Sequence, residues 1–311
     1  MAKFMKSAFQ NPLSFYGILL IEVLAYSSYG VFINLSRVNG IIMYKSSSLV
    51  LLLEIIKFTI SFMILWSEKN KLNYKQIKFR SVISFSLPAL CYGINNNLAV
   101  YMQDHMDPST FQVLCNLKIV STAVLYRLIM NRKLKFVQWL SLTLLTLAGM
   151  LNSYIGMKDK PQSLNDVYLT PVGLSLTLVY CFLSGLAGVY TEYILKKEPM
   201  TLLSLQNCYL YIFGILFNFT FWYTQTAEDE SLFQGFTLYT WLVLLTQAAS
   251  GLIMSAVMKY SSNIVRLFVI TSAIPVATII SIVLFNFQPG LEFYAVIILV
   301  VVSIVLYSLK L

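Results

Sequence analysis

The sequence predicts an all-α membrane protein with ten transmembrane helices. Three observations favour this fold class. Hydrophobic residues make up 58% of the 311 positions and charged residues only 11%, whereas about 25% of the residues of a typical soluble domain are charged. Apolar stretches of about 20 residues, the length that a helix needs to cross a bilayer, recur along the whole chain. Most basic residues cluster at the ends of these stretches.

The predicted spans follow one another with short connections. A window of about 20 residues places them near 14–36, 46–66, 81–102, 109–130, 134–156, 170–194, 201–223, 238–258, 263–286 and 290–309. Because the connections are too short for a second domain, we expect residues 1–311 to form a single polytopic membrane domain. The first stretch is longer than the core of a signal peptide and lacks a small-residue cleavage site, so we expect a retained span.

The loops alternate in charge, which predicts the topology. One set of loops and termini holds fourteen Lys and Arg residues, namely Lys3, Lys6, Lys69, Lys71, Lys75, Lys78, Arg80, Arg132, Lys133, Lys135, Lys196, Lys197, Lys259 and Lys310. The other set holds four, namely Arg37, Lys45, Lys158 and Lys160, together with several acidic residues. By the positive-inside rule, we expect both termini to face the cytosol, which agrees with an even number of spans.

A weak internal repeat divides the chain into halves of about 1–160 and 161–311. The segment Met130–Phe136 is weakly similar to Phe285–Phe293, although similar composition alone could produce this similarity. If the repeat is real, each half has an odd number of spans. The second half is then inverted relative to the first, as in many secondary transporters with a binding site near the middle of the membrane.

Several functional classes are excluded by the composition and by missing motifs. The net charge of +9 reflects loop topology, and we expect no nucleic-acid partner. The chain has no phosphate-binding GxxxxGK[ST], no HExxH, no GxSxG and no CxxC motif, and its four cysteines fall inside apolar stretches. We therefore expect no enzyme activity, no cofactor and no metal, and exchange or gradient-driven transport remains.

Charged residues inside the spans are the first candidates for a functional site. A Lys or Arg at the centre of a membrane helix costs about 2.5–3.5 kcal/mol, so each should face a partner, a wet cavity or a membrane edge. Glu54 and Lys57 lie three positions apart on one helix face, where they can form a structural ion pair or line a cavity. Lys118 has no acidic residue within four positions, and phosphate is a candidate partner. Arg266 is placed either to snorkel or to bind phosphate.

Polar side chains inside other spans form a second set of candidates. Asn97 ends a run of three asparagines, whose amides can recognise ribose hydroxyls and base edges or can join neighbouring helices. Asn207 and Tyr211 lie four positions apart on one face of the seventh span, where an amide and an aromatic ring could hold a pyrimidine. Tyr190 and Glu192 in the sixth span complete the set.

Four sequence stretches resemble the nucleotide-sugar transporters of solute carrier family 35, subfamily A, within the drug/metabolite transporter superfamily. They are Tyr92–Leu98, Met106–Lys118, Gly188–Tyr190 and Met258–Arg266. The stretches at 107–110 and 116–119 are most similar to a branch described as probable UDP-sugar transporters. The resemblance covers almost the whole chain.

This resemblance implies two inverted five-helix repeats and residence in the Golgi membrane. It also implies exchange of a cytosolic nucleotide sugar for a lumenal nucleoside monophosphate. Carried over by position, the site residues are Glu54, Lys57, Asn97, Lys118, Asn207, Tyr211 and Arg266, the last standing where relatives carry a phosphate-contacting lysine. Clustered aromatic and small residues would also allow a homo-oligomer.

Three departures from the family pattern concern the substrate. Phe111 stands where relatives usually have tyrosine, Asn116 where the sialic-acid carrier has glutamine, and Phe213 where relatives have a small hydroxyl residue. The resemblance therefore leaves a UDP-sugar and a CMP- or CDP-linked sugar or alditol as alternatives. An orphan exporter of a small metabolite and a non-transporting scaffold remain as other functions. A scaffold gains little from a lysine at the depth of Lys118.

The expected mechanism follows from these roles. Lys118 and Arg266 neutralise the phosphate or diphosphate, Asn97, Asn207 and Tyr211 recognise the ribose and base, and Glu54 and Lys57 shape the wall of the cavity. The two halves then rock about the site and expose it first to the cytosol and then to the lumen.

Overall fold

All regular secondary structure in the described residues of the computed structural model is helical. The structure describes residues 9, 11–38, 41–68, 70, 79–102, 105–158, 169–225, 231–285 and 290–309. Within them lie twelve helices: α1 (Pro12–Leu35), α2 (Ser46–Ser67), α3 (Phe79–Ser84), α4 (Ser86–Tyr101), α5 (Pro108–Cys115), α6 (Lys118–Ile129), α7 (Phe136–Lys158), α8 (Pro171–Lys197), α9 (Leu203–Gln225), α10 (Leu238–Tyr260), α11 (Asn263–Phe285) and α12 (Leu291–Ser308).

Local sequence determines where several of these helices begin. Asn11 accepts a hydrogen bond from the Leu13 backbone N–H and is followed by Pro12 at the first helical position. Asp107 likewise accepts one from Thr110 N at 2.8 Å and precedes another proline. A short polar acceptor satisfies an N–H that has no partner within the helix, and proline has no N–H to satisfy at that position.

Helices occupy all ten apolar stretches predicted from the sequence, and two of the stretches are interrupted. Phe85 separates α3 from α4, and Asn116 and Leu117 separate α5 from α6. Among the described residues, eight helical segments are long and apolar enough to cross a membrane: Pro12–Leu35, Ser46–Ser67, Thr110–Ile129, Phe136–Gly156, Pro171–Lys197, Leu238–Tyr260, Asn263–Ile280 and Leu291–Ser308. The all-α, multi-pass class is therefore confirmed, whereas ten spans in two inverted repeats stay a prediction.

Much of the sequence behind the topology prediction lies outside the described residues. This applies to Lys3, Lys6, Lys69, Lys71, Lys75, Lys78, Lys160 and Lys310, and to residues 286–289 of the repeat. The positions of the termini and the boundary between the sequence halves accordingly stay predictions.

The helices form two compact units. The first consists of described residues within 1–93 and 191–269, and the second of those within 94–190 and 270–311. In the first unit, α2 packs against α9 and α10, and α10 also packs against α1. The Trp222 indole N–H donates to Ser48 Oγ at 3.0 Å and joins α9 to α2. This unit holds most of the charged side chains discussed below.

In the second unit, α7 packs against α5, α6 and α12. Ser141 Oγ donates to the Ser303 carbonyl at 2.7 Å, and Ser303 Oγ donates to the Ser141 carbonyl at 2.8 Å. Both serines are buried, and Ala148 packs nearby with Val296 and Val300. Small residues let helix backbones approach closely, and a reciprocal hydroxyl pair satisfies both polar groups where no water is present.

Candidate functional site

A cation, a carboxylate and an aromatic ring meet in the first unit. Lys57 Nζ lies 2.5 Å from Glu54 Oε1, so the ion pair predicted from their spacing in the sequence forms within α2. The same ammonium lies 4.6 Å from the centroid of the Tyr211 ring of α9, within the range of a cation–π contact. Both charged side chains are largely buried, with 12% and 15% of their surfaces exposed for Lys57 and Glu54. The pair therefore compensates its own charges, and its ammonium also contacts the ring of Tyr211.

Two glycines make room for this pair. A Cβ atom at Gly214 of α9 would lie 2.6 Å from Glu54 Oε2, and one at Gly251 of α10 would lie 3.0 Å from Lys57 Cδ. The carboxylate and the lysine stem thus occupy space that a side chain would otherwise fill. Gly214 stands three residues after Tyr211, so one turn of α9 holds both the ring and the carboxylate.

Asn207 lies one turn before Tyr211 on the same face of α9. Its side chain is buried, and its Oδ1 accepts a hydrogen bond from Ser255 Oγ of α10. Because one acceptor position of the oxygen is used by Ser255, the amide hydrogens are the donors that this side chain can offer to a ligand. Asn207 and Tyr211 therefore share one face, as their spacing predicts.

Asn207 also borders a cavity of about 290 Å³ between α2, α9 and α10. Most of the lining is apolar, and neither Lys57 nor Arg266 contributes to it. Two buried hydroxyls, Ser61 Oγ and Ser204 Oγ, border the cavity and make no hydrogen bond within the described part of the chain. This cavity suits an apolar or planar group and not a phosphate.

Arg266 is another candidate cation in the first unit. Its Nη1 donates to the Tyr92 hydroxyl at 3.3 Å and contacts Met258 Sδ at 3.9 Å. Its Nε is buried and makes no hydrogen bond to any described residue. Because a guanidinium has five N–H donors, this arrangement leaves donor capacity for an anionic ligand.

Glu192 fixes the start of the helix that carries Arg266. Its Oε2 accepts from the backbone N–H of Asn263, the first residue of α11, at 2.6 Å, and its Oε1 lies 2.5 Å from Lys196 Nζ. Glu192 is fully buried. A carboxylate at a helix N-terminus is favoured by the unsatisfied N–H groups there, so Glu192 positions the first turn of α11, where Arg266 lies.

A further carboxylate, Glu22, lies in α1 and is 0% exposed. Ser250 Oγ of α10 donates to its Oε1. Glu22 is visible in the sequence as an acidic residue in an apolar span, but the sequence gives no signal of its contact with Ser250.

Lys118 belongs to the second unit and is the first residue of α6. The preceding turn is wound more tightly, since Asn116 N and Leu117 N donate to the carbonyls of Val113 and Leu114, three residues earlier. A short tight segment inside a membrane helix occurs at many functional sites. Lys118 directly follows this tight turn, within the span Thr110–Ile129.

Asn97 and Tyr190 also belong to the second unit, and both side chains are half-buried. Glu54, Lys57, Asn207, Tyr211 and Arg266 belong to the first unit. Within that unit, the structure brings together Glu54, Lys57 and Tyr211, with Asn207 one turn away. Sequence reasoning missed Gly214, Gly251, Ser255 and the role of Tyr92. Glycines and serines in apolar helices carry no signal of what they face.

The whole sequence also matches a known protein family. The model of the nucleotide-sugar transporter family matches residues 10–308. The chain belongs to the nucleotide-sugar transporter family. The family prediction made from the four sequence stretches is therefore confirmed, and the protein is a multi-pass membrane transporter rather than an enzyme.

Individual relatives agree with this family. The chain is 42% identical over 292 residues to the probable UDP-sugar transporter protein SLC35A4 of Xenopus tropicalis, covering 93% of this chain and 90% of the relative. It is 37% identical over 304 residues to the protein of the same description from Homo sapiens, covering 93% and 92%. These relatives span nearly the whole nucleotide-sugar transporter chain.

A solved structure, described only as a crystal structure of a protein, shares the fold. Its TM-score is 0.70 at 9% sequence identity, and the match covers 98% of this chain and 99% of the other. At such low identity the likeness concerns the fold alone. The function proposed for this nucleotide-sugar transporter is therefore argued from its own side chains.

Proposed function

We propose that this transporter exchanges a cytosolic pyrimidine nucleotide sugar for a nucleoside monophosphate from the Golgi lumen, with both termini in the cytosol. The substrate is a UDP-sugar or a CMP- or CDP-linked sugar or alditol. The relatives named probable UDP-sugar transporters favour uracil.

The observation that carries this proposal is the state of Arg266. Its guanidinium makes hydrogen-bonding contacts to Tyr92 and Met258, while its buried Nε has no partner in the described residues. Leaving a buried polar group unsatisfied costs about 1–3 kcal/mol. A phosphate oxygen would satisfy that donor and offset the charge.

The Lys57 and Tyr211 pair supports recognition of the base. The ammonium contacts the ring of Tyr211, and the amide of Asn207 lies one turn away on α9. A pyrimidine needs donors for its carbonyl oxygens, which the amide of Asn207 can supply, and we propose that Tyr211, which is 3% exposed in this structure, contacts the base. In the second unit, we propose that Asn97 and Tyr190 contribute polar contacts and that Lys118 binds phosphate.

No side chain is expected to do chemistry in this scheme. Substrate binding is reversible, and the returning nucleoside monophosphate occupies the same groups and resets the carrier. A transporter that exchanges two ligands in this way must bind the features that they share, which are the base, the ribose and one phosphate.

Counter-exchange in proteoliposomes tests the proposal. Vesicles preloaded with UMP or CMP are offered labelled UDP-, CMP- and CDP-linked substrates. The variants are Lys118→Ala and, as a matched control, Arg127→Ala, which removes an exposed basic residue from the last turn of the same helix.

We expect uptake that needs the internal monophosphate, disappears in Lys118→Ala and persists in Arg127→Ala. The monophosphate that supports exchange identifies the base. If neither monophosphate stimulates uptake by folded protein, the exchange mechanism is wrong. Export of another small metabolite or a scaffold role is then the favoured function.

A further inference from the structure

The interruption between α5 and α6 is stabilised by a side chain within it. Asn116 N donates to Val113 O at 3.2 Å, rather than to Gln112 O, which would be its acceptor in a regular α-helix. The Asn116 side chain takes that acceptor instead, since its Nδ2 donates to Gln112 O at 2.8 Å and to Val113 O at 3.3 Å. The amide thus replaces the backbone hydrogen bond that the tight turn gives up.

Helix α7 holds this amide from the other side. Ser153 Oγ accepts from Asn116 Nδ2 at 3.2 Å and donates to Gln112 O at 3.4 Å. A Cβ atom at Gly149 would overlap Asn116 Oδ1 and would lie 2.8 Å from its Cγ. Gly149 and Ser153 are four residues apart on one face of α7. This face therefore offers both the space for the amide and a hydroxyl that binds it.

Helix α8 packs against the same interruption. Cys181 Sγ lies 3.9 Å from Leu114 O and 4.0 Å from Cys115 O, the carbonyls at the end of α5. A Cβ atom at Gly185 would lie 3.1 Å from Thr122 N, so the backbones of α8 and α6 approach closely just after the turn. Because a thiol is a weak donor, α8 mainly provides close packing, and the amide provides the stronger hydrogen bonds.

The tight turn sets the direction of Lys118, which stands two residues after Asn116. A tight turn advances by about 120° and 2.0 Å per residue, whereas an α-helix advances by about 100° and 1.5 Å. Two residues that relax from the tight form to the α form would therefore rotate Lys118 by about 40° around the helix axis and move it by about 1 Å.

We propose that Asn116 is a positioning residue for Lys118: its amide maintains the tight turn, and the turn directs the Lys118 ammonium to the phosphate of the nucleotide. Asn116 itself uses its amide hydrogens within the protein, so it acts through Lys118 and not by touching the ligand. This inference rests on the proposed function, because it requires phosphate at Lys118.

A double-mutant cycle tests the inference. Asn116→Ala is made in the wild type and in Lys118→Ala, and affinity for UMP and for CMP is measured on the purified full chain by nucleotide protection against thermal unfolding. This protection grows with nucleotide concentration, so weak binding is measured at higher concentration. Thr143→Ala is the matched control, since it removes an exposed hydroxyl of α7 that donates to the carbonyl four residues earlier at 3.0 Å.

We expect Asn116→Ala to weaken nucleotide binding about fivefold or more in the wild type, and about twofold or less in Lys118→Ala, which already lacks the ammonium. Thr143→Ala should bind like the wild type. No loss in the wild type, or an equal loss in both backgrounds, would overturn the inference while leaving the proposed function intact. If Lys118→Ala alone binds as tightly as the wild type, Lys118 does not bind phosphate, and that part of the proposed function fails together with the inference.

Two milder variants give an answer that does not depend on whether Asn116→Ala folds. Ser153→Ala removes one partner of the amide, and Gly149→Ala displaces its oxygen. Each should weaken nucleotide binding in the wild type and not in Lys118→Ala, and ligand-free thermal melting shows that the protein is folded. If both variants bind nucleotide like the wild type, the position of the Asn116 amide does not control phosphate binding, and the inference is wrong.

Discussion

Gly214→Ala tests how the Glu54 and Lys57 pair shapes the site. The new Cβ would lie 2.6 Å from Glu54 Oε2 and 3.1 Å from its Cδ, so the carboxylate must move. The carboxylate is the end of a flexible side chain, and we expect the helices to stay in place while the ion pair with Lys57 is lost. Lys57 then leaves the ring of Tyr211, which removes a contact of about 0.5–2 kcal/mol. Nucleotide affinity should fall about two- to thirtyfold.

The effect on stability should be small, because two terms oppose each other. Overpacking typically costs about 1–3 kcal/mol, whereas alanine in place of glycine within a helix gains about 1 kcal/mol. Gly17→Ala in α1 is the matched control, since a Cβ there meets no atom within 4 Å. It should keep full affinity.

Affinity is measured by titration calorimetry with UMP or CMP, and stability by thermal melting without ligand. If Gly214→Ala binds nucleotide as tightly as Gly17→Ala, the pair does not organise the base-binding face. If its ligand-free melting temperature collapses, the carboxylate has not moved aside as the geometry requires.

Three further substitutions separate charge, positioning and stability. Arg266→Lys keeps the charge but loses the planar guanidinium, so nucleotide affinity should fall about tenfold or more; unchanged affinity in titration would exclude phosphate contact through the guanidinium. Ser255→Ala removes the donor to Asn207 Oδ1, which lets the amide rotate and should weaken binding about two- to tenfold; a change in stability alone would assign this contact to packing. Lys259→Met removes a buried ammonium that donates to Gln206 Oε1 at 2.5 Å, and the free energy of unfolding should fall by about 1–3 kcal/mol with nucleotide affinity unchanged; an unaltered thermal melt would show that Gln206 finds another donor.

The helices could be predicted closely from hydropathy, because each crosses an environment that demands an apolar surface and internally satisfied backbone. For example, the predicted stretch at 46–66 is observed as Ser46–Ser67. The interruptions at Phe85 and at Asn116–Leu117 were not predicted. Pro88 lies three residues after Phe85 and cannot donate a backbone hydrogen bond to the preceding turn, so this interruption has a local signal that the prediction did not use. No proline or glycine lies next to Asn116 and Leu117.

The candidate site was only partly predictable. The spacing of Glu54 and Lys57 predicts an ion pair within one helix, and the pair forms. The contact of Lys57 with Tyr211 joins residues more than 150 positions apart, and no periodicity predicts it. The roles of Gly214, Gly251 and Ser250 depend on which side chain the neighbouring helix presents. Such contacts follow from packing between helices rather than from any one segment.

Lys57 and Arg266 differ in how much of their positive charge is available to a ligand. Lys57 is paired directly with Glu54, so it orients Tyr211 but adds little net positive charge. Arg266 donates to a neutral hydroxyl and makes no hydrogen bond to a carboxylate among the described residues. Its positive charge is therefore more available to a phosphate than that of Lys57, which is why Arg266→Lys should act on nucleotide affinity more directly than a change at the Glu54 and Lys57 pair.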